Sequence, residues 1–154
     1  TNIKRKLFLH KTEKITFPTS SNIIEFDVIS VDQKQSFQTL LGFGGAFTES
    51  TGYSLSTVDE KIYNNIIDDY FLKDGLNYSL CRLPIGSCDF SLNSYSYSYK
   101  DNLSDFNIKR DQKYIIPTIK SAQERNKNIK FVSSPWSPPA FMKDNNDLNN
   151  GGRL

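Results

Sequence analysis

Three groups of residues could do chemistry, and each stands where an apolar run ends. They are the glycine cluster Gly42-Phe43-Gly44-Gly45, the pair Arg82 and Asp89, and Trp136 within Ser134-Pro135-Trp136-Ser137-Pro138-Pro139. A glycine cluster after an apolar run could cradle a phosphate, but Phe47 stands where the third glycine of a dinucleotide fingerprint belongs, and no Gly-Lys-Ser follows. Nucleotide binding is disfavoured, and the glycines read as a tight strand-to-helix turn. Arg82 could serve a site or form a structural ion pair, Asp89 could bind a ligand or cap the turn beyond its strand, and Trp136 could line a pocket or pack between prolines. The repeat Tyr95-Ser96-Tyr97-Ser98-Tyr99 could stack on a ligand, although its alternation favours a surface hairpin.

The elements that must position these groups follow from periodicity. Between Ile15 and Val31 the alternation of Ile24, Phe26 and Val28 with Glu25 and Asp27 predicts half-buried strand of an antiparallel sheet. The run from Thr39 to Phe47 does not alternate, as expected of a strand buried on both faces. Ser56 is the expected N-cap of a helix carrying Ile62, Ile66, Ile67 and Tyr70, stopped by Gly75. Asn77 to Leu83 reads as a second strand closed by Pro84, and a polar loop runs to about Arg110. A second helix spans roughly Lys113 to Arg125, with Pro117 tolerable only in its first turn. Ile129 to Ser133 is a third strand, and Asp144 to Gly152 is an Asn- and Gly-rich loop. Strand, helix, strand, helix, strand at this spacing is the alternation of a parallel sheet, either doubly wound or part of a barrel.

Composition narrows the function classes. A chain of 154 residues with 37% hydrophobic and 13% aromatic content can bury a core. Nineteen basic and 17 acidic residues leave a net charge of +2, too balanced for a nucleic-acid footprint. The basic stretch Lys4, Arg5, Lys6 and Lys11 reads as a solvated end. No window reaches the roughly 18 apolar residues of a membrane span, so the chain reads as not transmembrane. Thr1 opens neither a signal peptide nor a Met start, which reads as a processed beginning, and Gly151-Gly152-Arg153-Leu154 reads as a truncated end. Cys81 and Cys88 are separated by nearly extended chain, whereas a disulfide needs Cα atoms within about 7 Å, so both read as free thiols. Of the sequons Asn77-Tyr78-Ser79 and Asn102-Leu103-Ser104, the first is expected on a buried strand, leaving Asn102 as the glycan site in a secretory compartment.

Three longer blocks decide more than the spacings. Gly42 to Glu49, Cys81 to Ser91 and Ser134 to Pro139, in that order, resemble the signature blocks of the glucosylceramidases of glycoside hydrolase family 30, and the similarity runs from about Gln38 to the end. The fold this resemblance implies is a (β/α)₈ TIM barrel with an attached β-sandwich. Residues 1–37 would then give the first sandwich strands, and 38–154 the first three βα units of the barrel, an incomplete fold. The resemblance matches Asp89 to an aspartate that hydrogen-bonds the far hydroxyls of a glucose ring, and Trp136 to a tryptophan lining the same subsite. A carboxylate between sugar hydroxyls makes short charge-assisted bonds, and an indole can cover the C–H face of the ring. Arg82 matches an arginine beside the family nucleophile, where its charge would keep that carboxylate ionised. Phe141 departs from the pattern, standing where many relatives carry Trp.

The implied activity is retaining hydrolysis of the β-glucosyl bond of glucosylceramide to glucose and ceramide. Such enzymes use two carboxylates about 5 to 5.5 Å apart, here implied to be glutamates beyond Leu154, the acid/base within Asn-Glu-Pro. None of Glu13, Glu25, Glu49, Glu60 and Glu124 is followed by proline, so no catalytic residue is expected in this chain. A related β-1,6-glucanase or β-xylosidase would keep the same barrel, and a non-catalytic truncated product is the reading from a different class. No cofactor and no metal are implied. The implied partners are a glycolipid at a membrane surface and an activator protein, and the implied location is lysosomal or secreted.

Overall fold

The computed structural model describes residues 13–14 and 29–154. The chain divides into two compact units, Thr1–Gln38 and Thr39–Leu154. In the first, residues 29–38 are exposed chain with one turn, where the Lys34 amide donates to Asp32 Oδ1 at 2.9 Å. The strand expected from Ile15 to Val31 lies outside the described residues except for Ile29 to Val31, which are exposed and not in a strand.

The second unit is α/β. Its ordered elements are α1 (Glu49–Ser56), α2 (Glu60–Phe71), β1 (Leu80–Ile85), α3 (Ile115–Arg125), β2 (Lys130–Pro135) and a 3₁₀ turn (Ala140–Met142). The strands β1 and β2 pair in parallel, Leu80 opposite Lys130 through Ile85 opposite Pro135. The apolar run before α1 joins β1 by a single parallel bridge, Ala46 with Arg82, flanked by the Arg82 amide on the Gly45 carbonyl (3.0 Å) and the Phe47 amide on the Arg82 carbonyl (2.9 Å). This corrects the expectation of a strand buried on both faces. Leu40, Leu41 and Phe43 are 65%, 69% and 70% exposed, because among the described residues the run has a neighbour on one side only. Gly44 is needed there: a Cβ would lie 2.0 Å from the Leu80 carbonyl oxygen.

The helices differ from expectation at their starts. Thr48 caps α1 by accepting the Thr51 amide, a helix that the sequence pattern does not announce. Asp59, not Ser56, caps α2, its carboxylate accepting the Ile62 amide at 2.8 Å. A carboxylate both satisfies a free amide and complements the positive end of the helix dipole, so Asp wins over Ser. Pro117 falls third in α3, where its missing N–H leaves no intrahelical bond unmade. Gly52 lets α1 touch the chain entering α3, since a Cβ would stand 2.5 Å from the Tyr114 carbonyl oxygen.

The core lies between the three helices and one face of the sheet. It joins Phe47, Ile67, Phe71, Cys81, Ile115, Ala122 and Ile129, with Phe47 stacked on Phe71 at 5.6 Å between ring centroids. Burying each large side chain contributes about 1.5–3 kcal/mol. Cys81 is buried and Cys88 half-buried, both as free thiols; burial pushes the Cys81 thiol up, against a smaller opposing effect of its contact with the Gly45 backbone, which leaves it inert. Asn77 proves exposed, just ahead of β1 and not within it, and Asn102 is exposed as well. No helix of the described residues is long and apolar enough to cross a membrane.

On the second face of the sheet Val132 is 55% exposed, and Leu40, Leu41 and Phe43 are uncovered as well. Uncovered apolar surface and free strand edges drive association. The purified 154-residue chain is expected to self-associate, giving concentration-dependent species in sedimentation velocity. A single monomer with a cooperative, concentration-independent melt would contradict this.

Candidate active site

Asp89 and Trp136 come together at the carboxyl ends of β1 and β2, and Arg82 contacts Trp136. Arg82 lies within β1, and its side chain stands on the face opposite the core. Its Nε and Nη2 donate to Ser134 Oγ of β2 at 3.3 and 2.9 Å, and its guanidinium lies 4.8 Å from the centre of the Trp136 ring. The stacked guanidinium orients the indole by a cation–π contact, worth about 0.5–1 kcal/mol at an exposed site. Trp136, just past the end of β2, is 49% exposed and so is not simply packed between its prolines. Asp89 sits in the loop beyond β1. The turn around it is closed by Ser91, whose hydroxyl accepts the Cys88 amide at 3.0 Å and whose amide donates to the Cys88 carbonyl at 3.1 Å. Asp89 and Trp136 line one cavity of about 370 Å³ together with Ser87, Ser94 and Asn149.

A larger cavity, about 590 Å³, lies elsewhere, between α1 and α2. Phe47, Leu55, Ile66, Ile67 and Phe71 line it, and no carboxylate or cation does. The smaller cavity brings a carboxylate, an indole and several hydroxyls together, whereas the larger one has no charged group in its lining. None of Glu13, Glu49, Glu60 and Glu124 lines it. Among the described residues no cluster of His, Cys, Asp or Glu could hold a metal ion.

The loop carrying Asp89 is fixed by residues that spacing alone does not reveal. The Ser87 amide donates to the Tyr95 carbonyl at 3.1 Å and closes the loop at its base. At its far side, the Ser50 amide of α1 donates to the Phe90 carbonyl at 3.0 Å, and the Leu92 amide donates to Glu49 Oε2 at 2.8 Å. Glu49 is 2% exposed and accepts two bonds from Arg110, Nε at 2.7 Å and Nη2 at 3.1 Å. Arg110 also covers the Tyr95 ring at 4.4 Å. Burial pushes the Glu49 carboxyl up, but the Arg110 and Leu92 hydrogen bonds and the Arg110 and Lys113 charges outweigh it, holding the group below its ordinary value.

The tyrosine repeat is not a surface hairpin. Tyr95 is 5% exposed, and its hydroxyl donates to Asp111 Oδ1 at 2.6 Å while Tyr97 donates to the other carboxylate oxygen. Burial, then the shared carboxylate, push the Tyr97 hydroxyl up to about 12 and raise that of Tyr95 as well. Both therefore remain protonated donors across the physiological range. The alternation that suggested a strand instead aims two phenols at one buried acid.

Comparison with known proteins defines the class. Residues 40–154 match the glycosyl hydrolase family 30 TIM-barrel domain, and the chain belongs to that family. A Caenorhabditis elegans protein provisionally named glucosylceramidase 3 is 39% identical over 97% of this chain and 29% of its own length. The lysosomal acid glucosylceramidase of Mus musculus is 32% identical over 82% of this chain and 26% of its own. The structure of SrfJ from Salmonella typhimurium superimposes with a TM-score of 0.75 and 42% identity, covering 79% of this chain and 28% of that one. The endo-β1,6-glucanase BT3312 superimposes at a TM-score of 0.68 and 32% identity, covering 73% of this chain and 25% of that one. The chain thus spans less than a third of the length of these relatives.

The Glu49 carboxyl, lowered on folding, contributes stability that is fully present above its ordinary value of 4.5 and is lost as pH falls through its folded value. Hydrogen exchange at the Leu92 amide, corrected for intrinsic rate, should show constant protection from pH 7 to about 5 and falling protection below about 4.5. Protection that stays flat to pH 3 would show that the carboxylate does not hold the loop.

Proposed function

We propose that this chain is the N-terminal part of a retaining β-glycosidase that removes β-linked glucose, with glucosylceramide as its substrate, and that Asp89 and Trp136 hold the glucose ring. The observation that carries this reading is the convergence of an aspartate and a half-exposed tryptophan on one cavity at the carboxyl ends of two parallel strands. In barrels of this kind, working residues occupy that end. A carboxylate facing adjacent hydroxyls and an indole covering a C–H face are the two contacts a pyranose offers. Ser91, not Asp89, closes the local turn, which leaves the Asp89 carboxylate for a ligand. Arg82 takes a supporting role. Bonded to Ser134 and stacked on Trp136, it holds the indole and brings positive charge near a nucleophile supplied by a later strand.

The catalytic pair lies outside this chain on this reading, since the cavity contains no glutamate. The resemblance to the lysosomal mouse enzyme supports a lysosomal or secreted setting, where the substrate would be met at a membrane surface with help from an activator protein. A second reading, cleavage of β-1,6-glucan, is favoured by the 31% identity over 74% of this chain to the Aspergillus fumigatus endo-1,6-β-D-glucanase neg1. Both activities would use the same glucose subsite and differ in the group that the glucose leaves.

The 154-residue chain alone is expected to show no turnover of a fluorogenic β-glucoside; measurable turnover by a contaminant-free sample would overturn the assignment of the carboxylates. In the complete enzyme, Asp89→Ala should lower kcat/KM by about 10- to 10⁴-fold, the loss of one or two charge-assisted hydrogen bonds at the transition state. Its melting temperature should stay near wild type. Normal kcat/KM with a lowered melting temperature would instead make Asp89 a structural residue. Assays on glucosylceramide and on β-1,6-glucan separate the two substrates.

A further inference from the structure

We infer that Glu49 is a positioning residue for Asp89, acting through the backbone on either side of it. This rests on the reading of Asp89 as a glucose ligand. Asp89 is flanked by two anchors that both lead to the start of α1: the Phe90 carbonyl takes the Ser50 amide, and the Leu92 amide gives its proton to Glu49 Oε2. Glu49 itself cannot move freely, because Arg110 grips both carboxylate oxygens. Arg110 extends the hold to the cavity wall, its Nη2 reaching the Asn93 carbonyl at 3.5 Å, and lies over Tyr95 at the loop's base. Asp89 is exposed at the surface and Ser91 fixes only its immediate turn, so the placement of that turn relative to β2 and Trp136 depends on this clasp. Glu49 does not line the cavity that Asp89 and Trp136 share, so it acts on a sugar there only through the loop.

The charge matters as well as the shape. A carboxylate can accept from Leu92 and from both guanidinium nitrogens at once, whereas an amide of the same size presents one oxygen and turns a donor toward one of these donors. Glu49→Gln should therefore release the Leu92 anchor or the Arg110 grip while leaving side-chain volume unchanged.

The test is a double-mutant cycle in the complete enzyme with Glu49→Gln, Asp89→Ala and the pair, measured as kcat/KM per folded protein and as Kd of a glucose-like inhibitor. Glu49→Gln alone should lower kcat/KM about 10- to 100-fold, the scale of a displacement of about 1 Å. The double variant should match Asp89→Ala within about threefold, because a residue acting only through Asp89 has nothing further to lose once Asp89 is gone. Losses that multiply in the double variant would overturn the inference, as would unchanged kcat/KM in Glu49→Gln. An unaffected Asp89→Ala would remove the glucose-ligand reading itself, and the inference with it. Should Glu49→Gln fail to fold, Arg110→Gln, at a side chain already 34% exposed, enters the same cycle with the same expected and opposing results.

Discussion

The parallel register of β1 and β2 is the constraint on which the rest depends. Cys81 lies opposite Phe131 and Arg82 opposite Val132, so one face of the pair carries the core residues and the other carries Arg82, Val132 and, further along, Ser134 and Trp136. Side chains alternate along a strand, and a slip of one residue would send Ser134 and Trp136 to the helix side while bringing Phe131 out. The hydrophobic demand that Phe131 face Phe47, at 6.0 Å between rings, thus also delivers Ser134 to the Arg82 guanidinium. Packing on one face fixes the Arg82 contacts on the other.

Parallel strands cannot be joined by a tight turn, and the crossover they require supplies the remaining parts of the site. Here it runs from Gly86 to Ile129, and the helix α3 that returns the chain takes up only a quarter of it. The earlier part is the loop that carries Asp89, the buried Tyr95 and the half-buried Tyr97. It has few apolar side chains to bury, so polar groups hold it: Asp111 takes both phenols, and Glu49 takes Arg110 and the Leu92 amide. A loop of serines, asparagines and tyrosines can keep a fixed shape only if its buried polar groups find partners, and among the described residues no buried side-chain nitrogen or oxygen lacks one.

What could be read in advance depends on the range of the interactions involved. The strands around Leu80 and Phe131 and the helix ending at Arg125 were legible because apolar runs and a 3.6-residue spacing are local signals. Glu49–Ser56 was not, since its Ser, Thr and Gly residues bury only Glu49 and Gly52 and give almost no apolar period. Asp89, Trp136 and Arg82 were legible as residue types, but the meeting of Asp89 and Trp136 at one cavity, with Arg82 against the indole, depends on the register and needed coordinates. Least legible were the contacts between distant residues. Arg110 and Glu49 stand 61 positions apart, and nothing local in either segment marks the other as its partner. The same holds for Tyr95 and Tyr97, whose alternation with serine suggests a hairpin until Asp111 is seen between them.

A charged clasp at Glu49 has a physical advantage over an apolar one at this place in the fold. Removing a carboxylate from water is costly, and an ion pair of this kind is seldom a large net source of stability. Direction is what it supplies. An apolar contact between α1 and the loop would tolerate sliding, because hydrophobic attraction has no preferred angle. The Glu49 carboxylate instead accepts one backbone amide and a two-pronged guanidinium, each along its own line, and the Phe90 carbonyl adds a bond from the next residue of α1. Three donors on one buried group, beside a fourth bond in the opposite sense, leave the loop one arrangement. For a loop proposed to hold Asp89 against Trp136, just past the end of β2, specificity of position is worth more than added stability.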